Sequence, residues 1–170
     1  MIRSDAVSSK IIGFMAPFCM VVSKIMSGGQ TGVDRAALDI ALELGIPCGG
    51  WCPKGRRAAD GMIPERYPLE ETPSTAYPER TEWNVRDSDG TLVLTLGRPD
   101  GGTALTIGLA RRLKKPCQVV QLVENPDIEC VQSWIEAKDI HILNVAGPRE
   151  SENPGIYSKA CEFLRRLLKE

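Results

Sequence analysis

The feature of this sequence that most constrains its fold is a regular alternation of short apolar runs with longer segments of helical periodicity. The runs are rich in Val, Ile and Leu, and the segments between them place apolar residues three and four positions apart. Strands that alternate with helices form right-handed crossovers, which favour a parallel sheet covered on both faces. The sequence therefore predicts an α/β protein with an open parallel sheet of about five strands, at residues 21–26, 46–48, 91–96, 117–123 and 140–145.

Residues 33–44 show the helical pattern most clearly. Val33, Ile40 and Leu44 are predicted to share one face of this helix. Asp34 is predicted to point outward. Gly45 follows at the position where a left-handed residue ends a helix. A short helix is also predicted at 80–85, and further helices are predicted from residues 103, 125 and 153 onward.

The length of 170 residues and the apolar content of 42% suit one compact domain. We assign this domain to residues 20–170 and treat residues 1–19 as an N-terminal tail. The stretch at 53–90 breaks the alternation, because it holds five of the twelve prolines and little periodicity. We expect an irregular excursion there, which helps to wall a pocket.

Composition excludes several classes of protein. A net charge of -1 argues against a long nucleic acid as partner. His141 is the single histidine, which disfavours a His-rich metal site, so no intrinsic metal is predicted. The six cysteines are scattered over a chain large enough to build its own core, which favours reduced thiols and a cytoplasmic location. The apolar segment at 11–22 is too short to span a bilayer, so no membrane contact is predicted.

Three glycine-bearing loops follow predicted strands, and each leads into a helix. Glycines expose consecutive backbone N–H groups, and the start of a helix carries partial positive charge, so each loop resembles an anion cradle. The third loop adds a guanidinium and a hydroxyl group. The candidate ligand-binding or phosphate-binding residues in these loops are Gly28, Gly29, Gln30, Thr31 and Gly32, then Gly101, Gly102 and Thr103, then Arg149 and Ser151.

The order of the strands decides whether these loops meet. We predict the order 2-1-3-4-5, in which the first and third strands are neighbours at the topological switch point where open α/β sheets bind ligands. Two helix N-termini would then converge on one crevice, and Arg149 would neutralise the charge of a phosphate. The sequence therefore predicts a phosphorylated small molecule as the partner.

Asp34 begins the helix after the first loop, and two interpretations of it remain open. It could compensate the helix dipole, or it could act more specifically, either by accepting a hydrogen bond from a sugar or heterocycle or by ordering the loop. The first loop is not G-x-G-x-x-G, and the chain has no G-x-x-x-x-G-K-[ST] run, so an NAD dehydrogenase and a P-loop NTPase are both disfavoured.

Four separated motifs in order carry a resemblance to a known family. They are Ser27-Gly-Gly-Gln-Thr-Gly-Val-Asp34, Gly50-Trp-Cys-Pro-Lys-Gly-Arg56, Arg80-Thr-Glu-Trp-Asn-Val-Arg-Asp-Ser-Asp89 and Ala146-Gly-Pro-Arg-Glu-Ser151. Through these motifs the sequence resembles the family known as the putative molybdenum carriers, a circularly permuted, YpsA-like branch of the SLOG superfamily related to the "lysine decarboxylase-like" LOG proteins. The match runs from residue 22 to the C-terminus.

The resemblance implies a Rossmann-like fold and a nucleotide-like or pterin-phosphate ligand, with the molybdenum cofactor (molybdopterin) or a nucleotide as the bound molecule. By analogy with LOG relatives, it also implies a homo-oligomer. Related LOG enzymes are N-glycoside hydrolases that use a G-G-x-G-T-x-x-E signature, but the acidic position of that signature aligns with Thr106 here. The leading interpretation is therefore a binding protein. The alternative is a nucleotide-processing hydrolase in which Asp34 or Glu82 is the catalytic carboxylate.

Overall fold

The computed structural model describes residues 22–169, so the predicted tail at 1–19 lies outside the described residues. In chain order the elements are β1 (Lys24–Met26), α1 (Val33–Leu44), β2 (Cys48–Gly49), β3 (Trp51–Cys52), β4 (Arg57–Ala58), β5 (Gly61–Met62), β6 (Glu70–Glu71), α2 (Tyr77–Arg86), β7 (Gly90–Thr95), α3 (Gly101–Arg112), β8 (Cys117–Gln121), α4 (Ile128–Ala137), β9 (Ile142–Ala146) and α5 (Ile156–Leu168). Five parallel strands form the main sheet in the order β2-β1-β9-β7-β8. The predicted α/β fold with a five-stranded parallel sheet is confirmed.

The predicted strand order was wrong at one position. The last strand, β9, does not lie at the edge but between β1 and β7, so the first and third predicted strands are not neighbours. Burial explains the difference. Leu143, Asn144 and Val145 are all buried, which suits a central strand, whereas β8 carries two glutamines and the exposed Val119, which suits an edge.

Helices cover both faces of the sheet. The connections β1-α1-β2 and β8-α4-β9 run one way across the sheet, and β7-α3-β8 runs the other way. Right-handed crossovers therefore place α1 and α4 on one face and α3 on the other. Helix α5 packs against α1 and α4, and α2 packs against α3. The larger apolar core lies beneath α1, α4 and α5, and includes Ile25, Ile40, Leu143, Phe163 and Leu164.

The helix ends show where local signals were sufficient. Helix α1 has the predicted bounds, and Gly45 ends it in the left-handed region at φ 68°. Helix α4 starts later than predicted, because Asp127 rather than Asn125 caps it by accepting a hydrogen bond from the Cys130 amide at 2.9 Å. Helix α5 also starts later than the predicted residue 153, and the left-handed Gly155 precedes it.

The excursion at 53–90 is more ordered than expected. Besides α2 it contains β4 and β5 as an antiparallel pair, while β6 pairs in parallel with β3. The guanidinium of Arg56 donates hydrogen bonds to four backbone carbonyls of residues 63–69. Ile63, Tyr67 and Leu69 pack with Leu38 of α1 in a second apolar cluster. Residues 53–76, before α2, thus show little periodicity because short strands and side-chain to backbone bonds hold them.

Two further expectations concern the thiols and the helices. The five cysteines within residues 22–169 are free thiols, and they range from buried (Cys52 and Cys161) to exposed (Cys130). Across the same residues, no helix combines the length and the apolar character that a bilayer crossing requires.

Candidate functional site

The loops that follow β1, β7 and β9 meet at the carboxyl edge of the sheet. They enclose a cleft of about 230 Å³, and α2 forms its outer wall. The insertion of β9 between β1 and β7 keeps all three loops adjacent, because the carboxyl ends of parallel strands share one edge. The cleft is lined by Gln30, Asp34, Tyr77, Pro78, Arg80, Thr81, Gly101, Gly102, Thr103, Leu105, Thr106, Ala146, Gly147, Arg149 and Glu152.

Asp34 lies in the first turn of α1. The prediction that it points outward was wrong, because only 3% of its surface is exposed. Its Oδ2 atom accepts hydrogen bonds from the backbone N–H of Gln30 at 3.2 Å and from Arg80 Nη1 at 3.1 Å. Burial raises the pKa of Asp34, and the charge of Arg80 opposes that shift without cancelling it. These contacts support the interpretation in which Asp34 orders the first loop.

The glycines of the first loop make room for protein groups. A Cβ atom at Gly28 would overlap the guanidinium of Arg80, so this side chain lies directly against the loop. Gly29 has the positive φ of 74° that the loop requires, and faces Ile63 and Leu69 of the excursion. Gly28 and Gly29 are therefore not among the residues that line the cleft.

Gln30 is the residue of this loop that lines the cleft, and its side chain is buried. Its Oε1 atom accepts hydrogen bonds from the amides of Thr31 at 3.0 Å and Ala59 at 2.8 Å. These two bonds fix the orientation of the side-chain amide. Only 4% of Gln30 is exposed, and its Nε2 atom has no hydrogen-bond partner within residues 22–169. A buried donor of this kind requires an acceptor, which a water or ligand oxygen would provide.

Thr31 and Gly32 lie on the other side of the first loop. They border a separate, more open depression together with Asp39, Tyr67 and Tyr157. Both tyrosine hydroxyls donate to Asp39, each at 2.8 Å, and burial raises the pKa of both phenols. The structure therefore does not bring Thr31 and Gly32 to the cleft.

The second loop supplies the open end of α3. Asp100 precedes the helix in an extended conformation, and its side chain does not cap the helix. Gly101 and Gly102 are exposed, whereas Thr103 is buried. Thr106 donates its hydroxyl to the Gly102 carbonyl at 2.9 Å. Free backbone N–H groups and the positive end of the helix dipole therefore border the cleft here.

The third loop brings Arg149 to the cleft. Its Nε atom is 3.8 Å from Glu152 Oε1, and 37% of the side chain is exposed. Ser151 is exposed and is not among the lining residues. The structure therefore does not bring the hydroxyl group of Ser151 to the cleft.

Helix α2 contributes residues that the sequence analysis did not name as site residues. The ring of Tyr77 contacts two cations, with its centroid 5.9 Å from Arg80 Cζ and 5.1 Å from Arg149 Cζ. One feature of the sequence could have indicated a site role for Arg80. It begins the motif at 80–89, and this motif overlaps the short helix predicted beside the pocket. The contact of Arg80 with Gly28 is long-range, so no local pattern could reveal it.

Glu82, the alternative catalytic carboxylate, and the nearby Trp51 and Trp83 are not among the residues that line the cleft. Glu82 pairs with Arg112 at 2.8 Å, and both side chains are exposed. Trp51 packs edge-to-face on Trp83 and donates to Asp87 at 2.8 Å. No group of three His, Cys, Asp or Glu side chains suited to a metal ion occurs within residues 22–169.

A parallel sheet with helices on both faces and a polar cleft at its carboxyl edge defines a Rossmann-like domain. The model of the circularly permutated YpsA SLOG family matches residues 25–168, and the chain belongs to this family. The family predicted from the four motifs is therefore confirmed.

The chain is also similar to a solved crystal structure, that of a protein named "Putative molybdenum carrier protein" from Syntrophus aciditrophicus SB. The two sequences are 47% identical, and the TM-score is 0.84. The similarity covers 88% of this chain and 96% of that one. No curated protein matches the chain significantly.

Proposed function

We propose that this chain is a binding protein for a phosphorylated, nucleotide-like or pterin ligand, and that it acts as a molybdenum cofactor carrier. The observation that carries the proposal is the convergence on one cleft of the open end of α3 with Arg149 and Arg80. Helix N-termini and guanidinium groups both donate hydrogen bonds to phosphate and carry favourable charge for it. The name of the similar crystal structure supports a carrier of molybdenum in particular.

The donor set of the cleft suits the phosphate end of such a ligand. Its lining offers the backbone amides at the start of α3 and two guanidinium groups, all of which can donate to oxygen. The volume of about 230 Å³ is below the roughly 300–1,000 Å³ of sites that enclose a drug-sized ligand. We infer that the cleft encloses the phosphate with a small adjoining group, and that the ring system of the ligand extends past Tyr77.

In this proposal Gly101, Gly102 and Thr103 hold the phosphate and Arg149 neutralises its charge. Asp34 acts indirectly, since it holds Arg80 and the first loop in place. The predicted homo-oligomer and the cytoplasmic location stay predictions from the sequence.

Native mass spectrometry of the protein purified without added ligand tests the proposal. We expect an additional mass that denaturation releases as a phosphorylated organic compound, with molybdenum detectable by elemental analysis. A protein that copurifies with nothing, and takes up neither a nucleotide nor molybdopterin when incubated with them, contradicts it. Release of a free base from a nucleoside monophosphate would instead identify the hydrolase alternative.

A further inference from the structure

Tyr77 is the residue of the cleft wall that contacts the cation of the third loop. Its ring centroid is 5.1 Å from Arg149 Cζ, within the roughly 6 Å over which the face of an aromatic ring attracts a guanidinium. Both residues line the cleft. Tyr77 begins α2, whereas Arg149 belongs to the loop that follows β9. The contact therefore joins the outer wall of the cleft to the third loop.

The ring of Tyr77 stands on a helix that is fixed without the third loop. The Tyr77 carbonyl accepts a hydrogen bond from the Thr81 hydroxyl at 2.9 Å. The ion pair of Arg80 with Asp34 holds the helix against the first loop. The side-chain amide of Asn84 both accepts a hydrogen bond from the backbone of β3 and donates one to it, each at 2.9 Å. The position of the ring thus does not depend on Arg149.

The guanidinium of Arg149 has no comparable support from its own loop. The Arg149 carbonyl accepts hydrogen bonds from the amides of Glu152 and Asn153, at 3.1 Å and 3.0 Å, so the backbone is held. Within residues 22–169 the guanidinium itself forms no hydrogen bond. Its Nε atom is 3.8 Å from Glu152 Oε1, which is too far for one, and 37% of the side chain is exposed.

We infer that Tyr77 is a positioning residue, whose ring holds the guanidinium of Arg149 at the cleft. The inference rests on the proposed function and adds the residue that orders its cation. An arginine side chain loses rotamer freedom when it binds an anion, and a ring that already holds the side chain reduces that loss. A close carboxylate would neutralise the guanidinium and occupy its N–H groups, whereas an aromatic face leaves the charge and the donors available.

The side-chain Nε–H signal of Arg149 in the ¹⁵N-labelled full chain tests the positioning without any ligand. Tyr77→Leu removes the ring, and Tyr77→Phe keeps it. We expect the heteronuclear NOE of this group to fall in Tyr77→Leu, because the side chain becomes mobile, and to keep its wild-type value in Tyr77→Phe. An unchanged value in Tyr77→Leu overturns the inference. The Nε–H signal of Arg80 is the internal control, and an equal fall there would show that Tyr77 holds the helix rather than Arg149.

Binding of AMP and of adenosine tests whether the positioned cation acts on the phosphate. Tyr77→Leu should weaken AMP binding by roughly threefold to tenfold and change adenosine binding less than about twofold. Tyr77→Phe should bind AMP as the wild-type protein does. When Arg149→Ala is already present, Tyr77→Leu should weaken AMP binding no further, because the residue through which Tyr77 acts is absent. Equal losses for AMP and adenosine, or additive losses in the double variant, would show that the ring contacts the ligand directly, and they overturn the inference.

Trp83→Leu is the matched control for the loss of a ring from α2. The ring of Trp83 contacts Arg86, with 4.7 Å between the centroid and Cζ, but neither residue lines the cleft. This variant should change AMP binding less than about twofold, and a loss as large as that of Tyr77→Leu contradicts a specific role of Tyr77. A wild-type protein that binds neither AMP nor inorganic phosphate contradicts the proposed function, and the Nε–H measurement then decides alone whether Tyr77 positions Arg149.

Discussion

The guanidinium of Arg80 lies against Gly28 and forms a buried ion pair with Asp34, with Nη1 3.1 Å from Oδ2. This pair joins α2, in the excursion, to the loop between β1 and α1. Side-chain exposure is 14% for the arginine and 5% for the aspartate. One contact thus fixes both the shape of the first loop and the position of the wall that faces it.

Arg80→Ala should destabilise the protein by about 3 kcal/mol, because it leaves the buried Asp34 without its cation. The free energy of unfolding in urea measures this change. Arg112→Ala is the matched control, because it breaks the exposed pair with Glu82 and should cost less than about 1 kcal/mol. Similar losses in the two variants would show that the Arg80 pair does not hold the loop.

The pair also predicts a pH dependence. Burial raises the pKa of Asp34 above its ordinary value of 3.8, so the folded state binds this proton more tightly than the unfolded state. Stability contributed by protonated Asp34 is therefore present at low pH and is lost as the pH rises from near 3.8 through the raised pKa. Asp34→Asn removes this dependence.

The measurement is the free energy of unfolding of the wild-type protein and of Asp34→Asn between about pH 4 and pH 7. The wild-type protein should lose stability relative to the variant as the pH rises. The comparison between the two proteins cancels the titration of groups that they share. A constant difference across this range would mean that the pKa of Asp34 is not raised.

The sequence predicted the elements well where their signals are local. The bounds of α1 follow from its periodicity and from Gly45, and both are independent of the rest of the chain. The strand order has no such signal, since it depends on which strand is buried on both sides. Gln118 and Gln121 in β8 did carry a hint, because two glutamines in five residues suit an edge strand.

The candidate site could be predicted in part. Gln30, Asp34 and Arg149 reach one cleft because loops after parallel strands share an edge of the sheet, whichever order the strands take. The roles of Gly28 and Arg80 could not be predicted, because their contact depends on how the excursion folds back. A glycine loop that leaves space for an arginine has the same local sequence pattern as one that leaves space for a phosphate.

Gly29→Ala should destabilise the protein more than Gly45→Ala. Both glycines have a positive φ, 74° and 68°, so both variants carry a similar backbone strain of about 1 kcal/mol. A Cβ at Gly29 would also lie 2.5 Å from Leu69 Cδ1, whereas a Cβ at Gly45 has no neighbour within 4 Å. We expect Gly29→Ala to cost about 1–3 kcal/mol more than Gly45→Ala in urea unfolding. Equal costs would show that the excursion does not pack tightly on the first loop.

Arg149→Ala should weaken binding of a phosphorylated ligand far more than binding of its dephosphorylated analogue. The side chain is partly exposed and is only loosely paired with Glu152 at 3.8 Å, so its charge is available to a ligand at small cost. Removal of a charge-assisted contact to phosphate should cost about 1.5–3 kcal/mol, or roughly 10-fold to 100-fold in affinity. Calorimetric titration with AMP and adenosine measures the two losses. Arg166→Ala, at an exposed arginine near the end of α5, controls for the loss of net charge. Equal losses for AMP and adenosine would show that Arg149 does not contact the phosphate.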